Sequence, residues 1–594
     1  MIELWESEDP FDARYARGAS GLLAEFNRAG VLTAADVHVA ARTADLAGEP
    51  ADDVRLAAAL AVRAARQGSV CVDLVALLAE VSDGPVAELP WPEGAGWLER
   101  VAESPLAAGS VLRAEGGLLY LDRYWREEGQ VRDDLLARLG APPPVVDEAA
   151  LDAGASRLFP GDGYAEQRAA AVAAARQWTT VLTGGPGTGK TTTVAGLLAL
   201  LADQAGQDGR SLRIALTAPT GKAAARLQEA VEEAQGADRF TAADRARLGG
   251  LTASTLHRLL GWRPGSSTRF KHHRGNKLPH DVIVVDETSM VSLTMMARLL
   301  EAVRPGSRLI FVGDPDQLAS VEAGAVLSDL VGGLAVQAPD VVAALRTPHR
   351  FGGAIGELAD ALRRGDVERT MAVLTAGDPA VELIDPASQD AESALAAELT
   401  AHAVEVRTTA RAGDPAAAVR AVDAHRLLCA HRDGPWGVQH WNGLVEAWLG
   451  EATGEPVGSG WGREWYAGRP VLVTANDYGL GLFNGDTGVV VEDWASGGLR
   501  VVIAGQTLAS FAPSRLGNIE TLHAMTVHKS QGSQARSVTV LLPPDDSPLL
   551  TRELFYTAVT RAQERVRIVG TAESITAAVT HPAQRASGLR QRLS

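Results

Sequence analysis

The run Trp178-Thr-Thr-Val-Leu-Thr183, then Gly184-Gly-Pro-Gly-Thr-Gly-Lys190-Thr-Thr-Thr193, then Val194-Ala-Gly-Leu-Leu-Ala-Leu200 decides the fold. An apolar, β-branched stretch passes through a glycine-rich turn into a helical pattern, the strand–GxxxxGK[ST]–helix context of a phosphate-binding loop. Gly184, Gly185, Gly187 and Gly189 let the backbone turn its N–H groups inward around phosphates. The helix opening near Lys190 adds its positive dipole end. Pro186, Thr188 and Thr192 belong to the same candidate nucleotide contacts. Lys190 supplies a mobile charge for the β- and γ-phosphates, and the Thr191 hydroxyl suits Mg²⁺. The expectation is a site for ATP.

Working outward, apolar β-rich runs alternate with helical patterns from about 155 to 345, which predicts a parallel sheet with crossover helices. Val282-Ile-Val-Val is a buried strand ending in Asp286 and Glu287. Ninety-odd residues after a phosphate-binding loop, Asp286 is placed to hold Mg²⁺, and Glu287 to orient and deprotonate the attacking water. The next strand, Leu309-Ile-Phe-Val312, ends in Gly313-Asp-Pro-Asp-Gln317, whose glutamine can hydrogen-bond the γ-phosphate or that water. A second set of strands is expected at His425-Arg-Leu-Leu-Cys, Val471-Leu-Val-Thr, Val538-Thr-Val-Leu-Leu and Val566-Arg-Ile-Val. Gly- and Asp-rich turns separate short β runs between about 465 and 515, which predicts a small β-barrel inserted into the second α/β unit. The first 110 or so residues are Ala/Leu-rich with helical spacing, and Ala141-Pro-Pro-Pro-Val reads as a stiff linker.

A chain of 594 residues has room for several domains. No run of eighteen apolar residues predicts a membrane helix, and the acidic start MIELWESEDP is unlike a signal peptide. Cys71 and Cys429 are too few for a disulfide framework or a zinc site, so a reducing cytoplasm is expected. The net charge of −17 argues against indiscriminate polyanion binding. A local groove is another matter: Arg258–Pro279 holds six Lys/Arg, two His and no acid. Two distant arginines, Arg350 and Arg561, are candidate arginine fingers that would sense ATP when two α/β units close on it.

Together these residues resemble superfamily 1 helicases of the 5′-to-3′ branch, and specifically the RecD family. The motifs run in order: Gln167, similar to an adenine-reading Q motif, then the phosphate-binding loop. Next come Ala218-Pro-Thr-Gly-Lys-Ala-Ala-Ala-Arg-Leu227, Ser254-Thr-Leu-His-Arg-Leu-Leu260 and Val285-Asp-Glu-Thr-Ser-Met290. Gly313-Asp-Pro-Asp-Gln-Leu318 and Arg350 follow, then Asn476-Asp-Tyr and Phe483-Asn-Gly-Asp486. Met525-Thr-Val-His-Lys-Ser-Gln-Gly-Ser533 and Tyr556-Thr-Ala-Val-Thr-Arg561 complete the set. The resemblance implies two RecA-like P-loop NTPase domains (146–345 and 346–594), an SH3-like β-barrel insertion at about 465–515, and a helical partner-docking domain at 1–145. It implies catalytic roles for Lys190, Asp286, Glu287, Gln317, Arg350 and Arg561, with Gly532 at the nucleotide. It places Pro219, Thr220, Lys222, Thr255 and His257 on DNA in the first motor, and Thr526, His528, Lys529 and Ser530 in the second. The basic segment sits where the family carries a duplex-splitting pin, about 263–280, with Phe270 or a neighbouring histidine as a stacking surface. Two departures stand out: Pro348-His349 before Arg350, and Gln534-Ala535 where many relatives have Glu-Phe. The implied activity is an ATP- and Mg²⁺-dependent 5′-to-3′ translocase and helicase on single-stranded and duplex DNA. Its implied setting is a RecBCD-type complex with RecB-like and RecC-like subunits, acting in double-strand break repair. A stand-alone RecD-like helicase is the alternative, and a weakly active regulatory ATPase subunit the third reading.

Overall fold

The computed structural model describes all of the chain except residues 1–3, 6, 8, 10, 82–85, 95, 264–268, 348, 350–352, 389, 459–463, 478, 494–496 and 506–507. The Ala/Leu-rich start forms helices at Gly21–Arg28, Ala34–Ala47 and Asp52–Arg66, packed around Phe26, Leu56, Leu60 and Trp97. The third of these has Asp52 and Asp53 in its first turn and Arg63 and Arg66 in its last, the charge order the helix dipole favours. A three-stranded antiparallel sheet caps them: β1 (Cys71–Val72), β2 (Leu112–Glu115) and β3 (Leu118–Leu121), in the order β1-β3-β2. The chain then runs directly from β3 into the helix Asp122–Leu139.

The phosphate-binding loop belongs to a six-stranded sheet of β4 (Thr179–Gly184), β5 (Ile214–Ala218), β6 (Ala253–Thr255), β7 (Val282–Val285), β8 (Arg308–Gly313) and β9 (Val342–Leu345). Every pairing is parallel, in the order β6-β5-β7-β8-β4-β9. Parallel strands covered on both faces need continuous apolar sequence, and all four residues of β7 are buried. At roughly 1.5–3 kcal/mol per fully buried aliphatic side chain, that strand is a strong anchor for the acids at its end. This order, with β4 and β7 on either side of β8, is that of a RecA-like core. It brings three loops together at the carboxyl edge of the sheet, where open α/β folds bind ligands.

The second sheet is also parallel. It takes β10 (Val381–Ile384) and β11 (His425–Cys429) from before an insertion. The insertion contributes β12 (Pro470–Val473), β13 (Thr487–Asp493), β14 (Gly498–Ala504), β15 (Leu508–Phe511) and β16 (Ile519–Thr521). After it come β17 (Ala524–Thr526), β18 (Ala535–Leu541) and β19 (Ala562–Val569), giving the order β10-β19-β18-β11-β17. The inserted strands pair antiparallel in the order β15-β14-β13-β12-β16. This corrects one expectation: Val471–Val473 lies in the inserted sheet, paired with β13 and β16, and is no strand of the parallel unit. Its four buried residues look like a parallel-sheet strand because Val471 and Val473 pack in the insertion's own core and Leu472 in the core of the second parallel unit.

The end of the chain returns to its beginning. Leu589 and Leu593 share one core with Tyr120, Val131 and Leu135 and with Ile283, Val285 and Phe311 of the first parallel sheet. Two glycines of the helix Val326–Gln337 make room for this segment: a Cβ on Gly333 would stand 2.6 Å from Leu593 Cβ, and one on Gly332 2.8 Å from Arg590 Nε.

Candidate nucleotide and nucleic-acid site

Three strand ends build the nucleotide side. The loop after β4 has Gly187 and Gly189 at φ +79° and +88°, conformations that an L side chain strains to adopt. Lys190 Nζ lies on its own loop, donating to Gly184 O at 2.5 Å and Gly185 O at 3.0 Å. Thr191 and Thr192 follow on the first turn of the helix Lys190–Gln207, both partly exposed. Thr188 is buried and turns its hydroxyl back to Gly185 O at 2.9 Å. Gln167, in the helix Ala165–Ala175, is buried beside the loop and donates from Nε2 to Thr188 O at 2.9 Å. His349 leans on the same group: its Nε2 lies 2.9 Å from Gln167 Nε2, and its backbone N donates to Gly187 O at 2.8 Å.

At the end of β7, Glu287 adopts φ +48°, ψ +44°, a left-handed conformation costing about 1–2 kcal/mol for a residue with a Cβ. Such strain persists where the surroundings impose it: a Cβ on Gly313 would lie 3.2 Å from Thr288 N and 2.6 Å from Leu327 Cδ2. Burial, then the charge of Glu287, push the Asp286 carboxyl up to about 6. The two adjacent carboxylates are partly exposed at the carboxyl edge of the sheet, where a cation can reach them. With the Thr191 hydroxyl they are the hard oxygen donors that Mg²⁺ takes.

The loop after β8 makes the cross-cleft contact. Gln317 is buried, with Nε2 donating to Asp314 Oδ2 at 3.0 Å and Oε1 accepting from Arg561 Nη2 at 3.0 Å. Tyr556 OH donates to the same Asp314 Oδ2 at 2.9 Å. Leu318 N donates to Thr557 Oγ1 at 2.9 Å, and Gln531 Nε2 donates to Leu318 O at 2.7 Å. Burial lowers the Arg561 guanidinium's proton affinity, opposed by the nearby Glu287 and Asp314 charges. Lys190, Asp286, Glu287, Gln317 and Arg561 are thus brought into one cleft. Arg350 lies outside the described residues.

The expected DNA side is only partly a surface. Pro219, Thr220, Thr255 and His257 lie along the carboxyl ends of β5 and β6, partly or fully accessible. The Thr220 and Thr255 hydroxyls also cap helices, accepting from Ala223 N and Arg258 N at 3.2 Å. Lys222 must be corrected: its half-buried amine reaches Thr487 Oγ1 of the inserted sheet at 3.4 Å, and burial lowers it to about 8. In the second unit Thr526 and Ser530 are buried. Ser530 Oγ donates to Val527 O at 2.7 Å, so its proton is used in the local turn, whereas Thr526 Oγ1 accepts from Lys529 N at 3.3 Å and keeps its own hydrogen to donate. Lys529 Nζ pairs with Glu520 at 2.8 Å, and burial lowers the half-buried His528. Phe270 is corrected too. It is buried in the first unit's core, bridged to Trp262 and 5.9 Å from the His257 ring, and offers no stacking face. Of the expected pin, residues 264–268 lie outside the described residues, as does Tyr478.

Sequence reading missed four participants: Asp314, the acceptor shared by Gln317 and Tyr556; Tyr556 itself; Glu166; and Gly532's neighbour across the cleft, Arg226. Glu166 holds the start of the inter-unit connection, accepting from Arg346 N at 2.8 Å, Thr347 N at 3.0 Å and Thr347 Oγ1 at 2.9 Å. Each stands inside a quoted motif or one residue from it, but only distance in space reveals the pairing.

Comparison with known proteins agrees with this geometry. Residues 28–117 match the family described as RecBCD enzyme subunit RecD, N-terminal domain; 167–323 match an AAA domain, and 521–569 a UvrD-like helicase C-terminal domain. The chain is 59% identical over 569 residues to the RecBCD enzyme subunit RecD of Mycolicibacterium smegmatis, covering 95% of this chain and 98% of that one. Against the RecBCD enzyme subunit RecD of Mycobacterium tuberculosis (strain H37Rv) it is 57% identical over 588 residues, 98% of each chain. The ATP-dependent RecD2 DNA helicase of Deinococcus radiodurans is 32% identical over 476 residues, covering 80% of this chain and 58% of that one. A phosphate-binding loop, an acid pair and a glutamine–arginine contact joining two parallel sheets, with this identity over nearly the full length, establish that the chain belongs to the RecD family of ATP-dependent DNA helicases.

Proposed function

We propose that this chain uses ATP hydrolysis between its two parallel-sheet units to move 5′-to-3′ along single-stranded DNA. We place it as the RecD subunit of a cytoplasmic complex with RecB-like and RecC-like chains that processes double-strand breaks. The observation that carries the reading is the bond from Arg561 to Gln317. It ties an arginine of the second unit to a loop one strand from the phosphate-binding loop, so closure and nucleotide state are one event. In this reading Lys190 leaves the Gly184 and Gly185 carbonyls for the β- and γ-phosphates. Glu287 orients the attacking water and takes its proton, and Arg561 stabilises the charge that develops. Thr191 and Asp286 would hold Mg²⁺, whose charge offsets that of the phosphates. Gln167 faces the base, and Gly532 and Arg350 complete the pocket.

The same reading assigns 1–145 to partner docking, 146–345 and 346–594 to the motors, and the inserted sheet to an SH3-like module. The basic segment near 263–280 becomes the pin. Pro219, Thr220, Thr255 and His257 hold the DNA backbone, and His528 and Lys529 do so once the second unit shifts. Groups of this kind fix position without reading sequence. The match of residues 28–117 to the RecD N-terminal domain favours the subunit over a stand-alone helicase. The test is twofold. Lys190→Gln should abolish DNA-stimulated hydrolysis with the fold retained, and unchanged hydrolysis would refute the site. Strand displacement on 5′- and 3′-tailed duplexes, with and without co-purified partners, should show 5′-tail dependence. Efficient unwinding by the isolated chain would refute the subunit assignment.

A further inference from the structure

The departure at Gln534 acquires a partner in the structure. The helix Gly221–Gln235 begins at Thr220, one of the candidate DNA contacts, and Arg226 emerges about a turn and a half later. Its guanidinium crosses to the second unit, where Nη1 donates to Gly532 O at 3.3 Å and Nη2 to Gln534 Oε1 at 2.5 Å. The adjoining carbonyl, Ser533 O, accepts from Arg561 Nη1 at 3.3 Å. Two arginines from opposite units therefore hold consecutive carbonyls of one loop. Arg561 comes from the nucleotide side and Arg226 from the helix that starts at the DNA side. The loop is stiff enough to carry a push: Ser533 Oγ donates to Ser530 O at 2.6 Å, and Gln531 is fixed to Leu318 O. It also lies tight on the helix, since a Cβ on Gly532 would be 3.3 Å from Ala223 Cβ. Its upstream end is the turn of Thr526–Ser530, the candidate grip of the second unit.

We propose that Arg226 is a cross-cleft positioning residue, transmitting DNA occupancy at the start of its helix to the 531–534 loop and so to Arg561. Gln534 sets the strength of this contact: a neutral amide oxygen gives a guanidinium a weaker hold than a carboxylate, so the contact breaks in each cycle. This inference rests on the helicase reading above and deepens it.

The experiment measures ATP hydrolysis by the full chain, with its partners where they co-purify, at rising concentrations of oligo(dT). Arg226→Ala should cut the stimulation by DNA about tenfold or more, a larger fall than that of the DNA-free kcat. Arg226→Lys should recover part of it. Gln534→Ala, which leaves the helix untouched, should reproduce the loss, and Gln534→Glu should lower the DNA concentration for half-stimulation. Undiminished stimulation in both Arg226→Ala and Gln534→Ala would overturn the proposal. So would an equal fall of DNA-free and DNA-stimulated rates with no rescue by lysine. A parent protein that DNA does not stimulate at all would instead overturn the helicase reading on which it rests.

Discussion

Lys222 and Arg561 show what a motif does and does not say about a residue. Both stand in quoted motifs, yet Lys222 points its amine at Thr487, and Arg561 grips Gln317. Lysine contacts with phosphate release counterions, so each one adds to the slope of log Kd against log salt, by about 0.7 on single strands. Lys222→Met is therefore expected to leave that slope for oligo(dT) unchanged, measured by fluorescence anisotropy between low and moderate salt; a fall by one contact would restore Lys222 to the DNA. Arg561 is the opposite case. Its loss removes both the charge at the phosphates and the contact with Gln317, so Arg561→Ala should lower kcat by about 10³ or more, with little change in the KM for ATP. Arg561→Lys should not rescue it, since lysine has no planar fork to reach Gln317 Oε1 and Ser533 O together. The motif chemistry of Lys190, Asp286 and Glu287 was legible because glycines and buried acids at those offsets have few other uses. The Ser530 hydroxyl shows the limit, because sequence does not tell whether a hydroxyl already donates inside its own turn.

At the level of elements, periodicity located strands and left their partners open. The runs that became β4, β5, β7 and β8 were legible as a parallel sheet because helices alternate with them. Val471–Val473 carried the same buried, β-branched signal and belongs to another sheet, for which only the register with Thr487–Val489 and Ile519–Thr521 decides. In the small sheet β1-β3-β2, Cys71–Val72 is two residues long and pairs across nearly fifty, too short a run for periodicity to mark. Where elements meet, one atom can decide. Gly313 ends β8 beneath the strained turn at Glu287, and the site has no room for a methyl group. Gly313→Ala is expected to cost about 1–3 kcal/mol, the range for overpacking, read as a lower urea midpoint with an unchanged m-value. Because the displaced atoms include Thr288 N, hydrolysis should fall more than stability does. A variant of full activity would show that the turn yields without disturbing Glu287.

The whole molecule is closed by its last residues, which nothing in the sequence singled out. His581 O and the backbone at Ala583 are held by Arg552 and Glu553 of the second unit. From there the chain crosses: Ala586 O accepts from Val70 N at 2.8 Å, and Ser587 Oγ and Gly588 N donate to Glu128 Oε1 at 2.8 and 3.0 Å. Arg592 pairs with Glu128 at 3.3 Å and lies over the Tyr120 and Trp125 rings. The amino-terminal elements, the first sheet and the far end of the second unit are thus fastened at one buried polar cluster. Its acids carry a pH signature. Burial raises the Glu128 carboxyl, and burial with the added charge of Glu128 raises Asp329 to about 7. A carboxyl that binds its proton more tightly folded than unfolded favours the fold while protonated. That advantage is complete below the ordinary carboxylate range and is lost as pH rises through about 7. Asp329→Asn removes the titration and keeps the shape. The variant should match the parent at about pH 4 and below and exceed it increasingly toward pH 7 to 8, by up to about 4 kcal/mol for a shift of this size. The readout is the difference in urea midpoints between the two proteins at each pH, which cancels the carboxylates remote from Asp329 and keeps its coupling to Glu128. A difference constant from pH 4 to 8 would mean that Asp329 does not titrate in the folded protein over that range.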